Sequence, residues 1–139
     1  MEAQGSIRVL VADDSPTALK SVCDYLEFAG GFEVVGKAKD GRTAVQRAVE
    51  TKPDLALLDL SMPRLNGLEA ARQIRGELRD IRILIFSELE GLSLGDECRR
   101  NGADGFVSKN LLPEGLLMEI QRLFRPTGVR ESASSSEPS

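Results

Sequence analysis

Apolar runs and amphipathic stretches alternate along the chain, separated by polar or glycine-containing breaks. IRVLVA (7–12) is a continuous run of β-prone residues and predicts a strand. Ser15-Pro16 reads as an N-cap and first helical position, because serine offers an acceptor to the free N–H groups and proline has no N–H to leave unpaired. The helix they open carries Leu19, Val22, Cys23 and Leu26 on one face, runs to about Ala29 and stops at Gly30-Gly31. FEVVGKA (32–38) predicts a second strand. Asp40 or Gly41 opens a helix with Ala44, Val45, Ala48 and Val49 on one face, ended by Pro53. LALLDL (55–60) predicts a third strand, apolar on both faces. After the loop SMPRLNG, a helix turns Leu68, Ala71, Ile74 and Leu78 inward. IRILIFS (81–87) predicts a fourth strand. The stretch 92–101 predicts a weak helix, since Gly95 inside it costs ~1 kcal/mol against alanine, with Gly102 as its cap. DGFVSK (104–109) predicts a short fifth strand, and Pro113 to Phe124 a last helix with Leu116, Leu117, Ile120, Leu123 and Phe124 inward.

This makes five βα units. Strands apolar on both faces need cover on both sides, so the pattern predicts an α/β, doubly wound, five-stranded parallel sheet between helix layers. Five units are too few for the eight-unit barrel. Residues 1–5 form a polar lead and 6–125 one domain; 126–139, rich in Ser, Pro and Glu without apolar periodicity, is expected to be a disordered tail.

Composition narrows the function. With 139 residues, 41% hydrophobic and 29% charged, the chain suits one globular domain. A net charge of −4 weighs against tracking nucleic-acid phosphates. There is no histidine, which removes Ser-His and Cys-His catalysis, His-metal sites and a phosphohistidine of the chain's own. Cys23 and Cys98 make neither a disulfide framework nor a zinc site; Cys23 falls in the first helix's core stripe. MEAQGS lacks the pattern of a signal peptide and no run approaches ~18 apolar residues, so a cytoplasmic protein with no membrane span is expected.

In a doubly wound sheet, ligands bind beyond the carboxyl ends of the strands. Those ends carry Asp13-Asp14, Asp59, Ser87 and Ser108-Lys109. Taken singly, Asp14 and Ser87 read as turn residues and Lys109 as a solvated lysine. Asp59 is harder to dismiss, because a carboxylate inside an apolar run needs a partner or a raised pKa. Two carboxylates ~4 Å apart repel by about 4 kcal/mol at an effective dielectric of ~20. A hard divalent cation offsets this, and all-oxygen ligands favour Mg²⁺. Such an ion with Lys109 would draw in a phosphoryl group, which Asp59 is placed to attack and Ser87 to hydrogen-bond.

The motifs VLVADDS, LALLDLSMPRLNGLEAARQIR, FS at 86–87 and GADGFVSK occur in the order and spacing of a known family. The sequence resembles a bacterial two-component response-regulator receiver domain over about residues 6–125. The resemblance implies the (βα)5 flavodoxin-like fold with strand order 2-1-3-4-5. It makes Asp59 the phosphoacceptor, and it gives Mg²⁺ to Asp14, Asp59 and the Ser61 backbone carbonyl directly and to Asp13 through a water. Lys109 becomes the lysine that pairs with the acidic site and then the phosphoryl group, Ser87 the switch hydroxyl and Phe106 the aromatic switch. A histidine kinase or phosphotransfer protein would be the donor. A surface built from the fourth helix, fifth strand and fifth helix would change its preference for a downstream protein partner or a detached output domain, or drive a phosphorylation-dependent homodimer. The module would not be an enzyme in the usual sense, and no DNA-reading element is visible. Three departures stand out: Phe106 where tyrosine is frequent, Asn110 where many members have proline, and Glu88 where a small residue is common. Two other readings are a receiver-like protein-binding scaffold that needs no phosphorylation, and a Mg²⁺-dependent phosphohydrolase. The second is disfavoured because Asp13 and Asp14 are adjacent and the nucleophile candidate lies on a different strand.

Overall fold

Five parallel strands form one sheet in the order β2-β1-β3-β4-β5. They are β1 (Ile7–Ala12), β2 (Phe32–Ala38), β3 (Leu55–Asp59), β4 (Arg82–Ser87) and β5 (Gly105–Ser108). Helices α1 (Pro16–Ala29), α2 (Gly41–Thr51), α3 (Gly67–Glu77), α4 (Leu92–Arg100) and α5 (Glu114–Leu123) follow the strands in turn. The computed structural model describes residues 6–88, 92–111 and 113–124. The expectations for the lead 1–5 and the tail 126–139 fall outside the described residues.

The side chains explain these boundaries. The Ser15 hydroxyl accepts from the Ala18 N–H, and Asp40 accepts from Thr43 at 2.7 Å, so both helices begin where a side chain satisfies a free donor. Asn66 and Glu69 close a reciprocal capping box at the start of α3. α1 ends at Gly30, whose φ of 81° suits glycine.

Alternation along the strands divides the core into two layers. Leu10, Ala12, Ala56, Leu58, Ile83 and Ile85 face α2, α3 and α4. Val9, Val11, Leu55, Leu57, Leu84, Phe86 and Val107 face α1 and α5. The stripe Leu19, Val22, Cys23 and Leu26 is buried as expected. Other positions differ. Val49 is 40% exposed, because Ala44 and Ala48 already cover the sheet and Val49 turns a further 100° around α2. Ala70 is fully buried where Leu68 and Leu78 are only half-buried. Cys98, which had no helical stripe to suggest it, is fully buried against the α2–α4 layer.

One close approach shapes the carboxyl edge of the sheet. A Cβ on Gly41 would stand 1.9 Å from the Leu65 carbonyl oxygen, so α2 begins directly against the β3–α3 loop. Only glycine allows that packing.

Candidate functional site

The layer rule also places the chemistry. Val9 and Val11 lead to Asp13, Leu55 and Leu57 to Asp59, Leu84 to Phe86, and Val107 to Lys109, each two residues further along the chain. These four side chains therefore emerge on the α1/α5 side of the sheet's carboxyl edge. Ser87 and Phe106 belong to the opposite row. The expected strand ends shift slightly: β3 stops at Asp59 and β5 at Ser108, so Lys109 begins a 3-10 turn (Lys109–Leu111) instead of ending a strand. Freed from the ladder, Lys109 folds back over the edge.

Asp13 is fully buried and both of its oxygens are engaged. Oδ1 accepts from the Ser15 N–H at 2.9 Å, and Oδ2 accepts from Lys109 Nζ at 3.0 Å. Lys109 Nζ also stands 3.5 Å from Asp59 Oδ1, and that oxygen accepts a long bond from the Ser61 N–H at 3.3 Å. Asp14 is exposed, yet Asp13, Asp14 and Asp59 each offer an oxygen within 4.8 Å of the others. The structure thus brings together three carboxylates that the sequence spread over two strand ends.

Electrostatics match this crowding. Burial pushes the Asp59 carboxyl up to about 6, the Asp13 charge adds to the rise, and Lys109 opposes it. Burial pulls the Lys109 ammonium down, but its hydrogen bond to Asp13 and the charges of Asp59 and Asp13 raise it on balance. One ammonium against three carboxylates leaves the edge anionic. The donor set is all oxygen and one member is open to solvent, which fits a hydrated hard dication such as Mg²⁺. Asp14 is the member with room for one, since Asp13 is already committed to Ser15 and Lys109.

Ser87 ends β4 with 3% exposure, paired in register with Ser108 and one residue beyond the Asp59–Phe86 pairing of β3 with β4. Phe106 lies on the same row of β5, half-buried against the α2–α4 layer. The Asn110 N–H donates to the Ser108 hydroxyl at 3.1 Å, a bond that a proline at 110 would lack. Glu88 is exposed beside Ser87. The fourth side chain of the α1/α5 row, Phe86, was not anticipated at the site. Its ring centroid lies 5.1 Å from Lys109 Nζ. The signal available was its alternation with Leu84, on the row that leads to Asp59 and Lys109.

Comparison with known proteins gives a consistent result. The family model described as the response regulator receiver domain matches residues 9–121. The chain is 42% identical over 122 residues to a protein-glutamate methylesterase/protein-glutamine glutaminase of Thermotoga maritima, covering 86% of this chain and 34% of that protein. It is 34% identical to the nitrate/nitrite response regulator protein NarL of Escherichia coli, covering 88% of this chain and 56% of that protein. Among solved structures, the CheX-CheY-BeF3-Mg²⁺ complex of Borrelia burgdorferi aligns with a TM-score of 0.81 and 26% identity, over 86% of this chain and 90% of that one. The chain spans roughly a third to three fifths of the length of the curated relatives it matches.

Proposed function

The chain belongs to the family of response regulator receiver domains of two-component systems, and from that premise we propose that Asp59 is the residue that accepts the phosphoryl group. The observation that carries this reading is the convergence of Asp13, Asp14, Asp59 and Lys109 at one edge of the sheet.

In the proposed reaction an Asp59 carboxylate oxygen attacks the phosphorus of a phosphohistidine on a kinase or phosphotransfer protein. A P–O bond forms, the P–N bond breaks, and the imidazole leaves with its electron pair and takes a proton. Raised to about 6, Asp59 is still mostly ionised and nucleophilic at neutral pH. Lys109, already 3.5 Å from Asp59, is placed to meet phosphoryl oxygens, and Ser87 supplies a hydroxyl from the neighbouring strand end. Mg²⁺ is general to receivers; here Asp14, Asp59 and the Ser61 carbonyl would hold it, with Asp13 acting through water. When bound it neutralises charge between the carboxylates and the incoming phosphate. The engagement of both Asp13 oxygens, by Ser15 and Lys109, supports its indirect role. A relative solved with BeF3 and Mg²⁺ lends support of the same kind.

The output is proposed to pass through the α4–β5–α5 face. Ser87 and Phe106 share the row that leads toward it, so a shift of the hydroxyl toward the phosphoryl group opens space for the ring. A downstream protein or output domain would read that change.

The test is direct. With Mg²⁺ and acetyl phosphate, intact mass rises by one phosphoryl group, and Asp59→Asn abolishes the gain. An unchanged parent mass with several donors would refute the proposal.

A further inference from the structure

Among the described residues, Lys109 has three neighbours of consequence: Asp13 at 3.0 Å, Asp59 at 3.5 Å and the face of Phe86 at 5.1 Å from its centroid. Two of these carry charge that the reaction alters. An Asp59 joined to phosphorus has lost its carboxylate charge, and a cation among the acids draws on Asp13 as well. The ring does not change.

We infer that Phe86 is a positioning residue for Lys109, its ring face holding the ammonium beside the phosphoacceptor while the charges around it change. The inference rests on the reading of Asp59 as that phosphoacceptor. An ammonium within ~6 Å of an aromatic centroid is attracted to the negative ring face, more strongly when both are shielded from water. Here the ring is 2% exposed and the lysine side chain 18%.

The placement comes from the strand itself. Phe86 pairs in register with Asp59 across β3 and β4, and with Val107 across β4 and β5. Lys109, two residues past Val107, returns over that ring. The preceding residues, Ile83, Leu84 and Ile85, are aliphatic, so filling the core does not by itself call for an aromatic here. Leucine would pack in the α1/α5 layer and offer no negative face. Phe86 also contributes to that layer, so the test separates its volume from its electrons.

Replacing Phe86 with phenylalanines bearing one, two and three ring fluorines leaves the shape nearly constant and weakens the ring quadrupole stepwise. The rate of phosphorylation by acetyl phosphate with Mg²⁺, followed by intact mass, is expected to fall stepwise, by about three- to tenfold at the end of the series. In the unphosphorylated parent, the Lys109 ε-methylene protons are expected to show an upfield ring-current shift that is absent in Phe86→Leu. A parent that is phosphorylated with a rate flat across the fluorine series overturns the inference and leaves the receiver reading standing. Lysine resonances unchanged in Phe86→Leu overturn it too, independently of any phosphorylation. A parent that accepts no phosphoryl group defeats the phosphoacceptor reading of Asp59, and with it the inference built on it.

Discussion

Asp13 and Lys109 form a pair 3.0 Å apart in which the acid is fully buried and the lysine side chain is 18% exposed. It ties the end of β1 to the turn after β5, across β3 and β4. The same lysine stands 3.5 Å from Asp59, so the pair fixes the cation beside that carboxylate. Asp13 in turn is fixed by the Ser15 N–H, at the N-cap of α1.

Removing the lysine should therefore be costly in the metal-free state. Lys109→Met leaves buried Asp13 without its cation, and breaking a buried pair from one side costs about 3 kcal/mol. The loss should shrink when Mg²⁺ is added, because a dication compensates the same carboxylates. Urea unfolding at neutral pH, in EDTA and in Mg²⁺, measures both; equal losses in the two conditions would count against the charge argument.

Asp59 gives a pH dependence of defined sign. Its folded value of about 6 lies above its ordinary value of 3.8, so between those limits the native chain holds a proton that the unfolded chain has lost. Its contribution is intact below pH 3.8 and declines as pH rises through 6, a loss on the order of 3 kcal/mol in the metal-free protein. Asp59→Asn cannot ionise, so it should be the more stable protein above pH 6 and the difference should vanish near pH 4. Unfolding midpoints at the two ends of that window, in EDTA, check it.

Much of this was legible in the sequence because strands and helices announce themselves by period. The N-cap Ser15, a helix start at Asp40 or Gly41, the stripe Leu19–Leu26 and the strand cores could be placed from residue type and spacing, and the topological rule then put Asp13, Asp14, Asp59, Ser87 and Lys109 on one edge. What spacing does not encode is the packing between elements. Val49 and Cys98 both sit on amphipathic helices, but only the position of each helix over the sheet exposes one and buries the other. Phe86 reads as a core residue until the chain turns Lys109 back over it. Arg75 likewise looks like a surface residue of α3, yet it bonds Asp104 and the carbonyls of Gly102, Arg79 and Ile81.

Two glycines of α3 should respond oppositely to alanine. A Cβ on Gly67 would stand 2.4 Å from the Asp59 carbonyl oxygen, so Gly67→Ala must push the backbone at Asp59, the proposed phosphoacceptor. A loss of about 1–3 kcal/mol is expected, with slower phosphorylation. Gly76 has nothing within 4 Å and lies in the last turn of α3, so Gly76→Ala should gain up to about 0.5 kcal/mol with phosphorylation unchanged. Urea midpoints and a phosphorylation time course on the two variants test the contrast.

The two adjacent acids should also separate. Asp14 is exposed and contributes an oxygen to the acidic cluster, while Asp13 is buried with both oxygens engaged by Ser15 and Lys109. Asp14→Asn removes charge from the solvent side and breaks no contact described for Asp13, so it should weaken Mg²⁺ binding by at least about tenfold while leaving metal-free stability unchanged or slightly raised. In Asp13→Asn the amide oxygen can still accept from Ser15, but the ion pair with Lys109 is gone. With the Asp13 charge gone and Lys109 turned to Asp59, the Asp59 pKa should fall. That variant should lose stability as well as metal affinity. Calorimetric Mg²⁺ titration paired with urea unfolding distinguishes the two, and equal stability losses in both would mean that the burial of Asp13 carries no energetic weight.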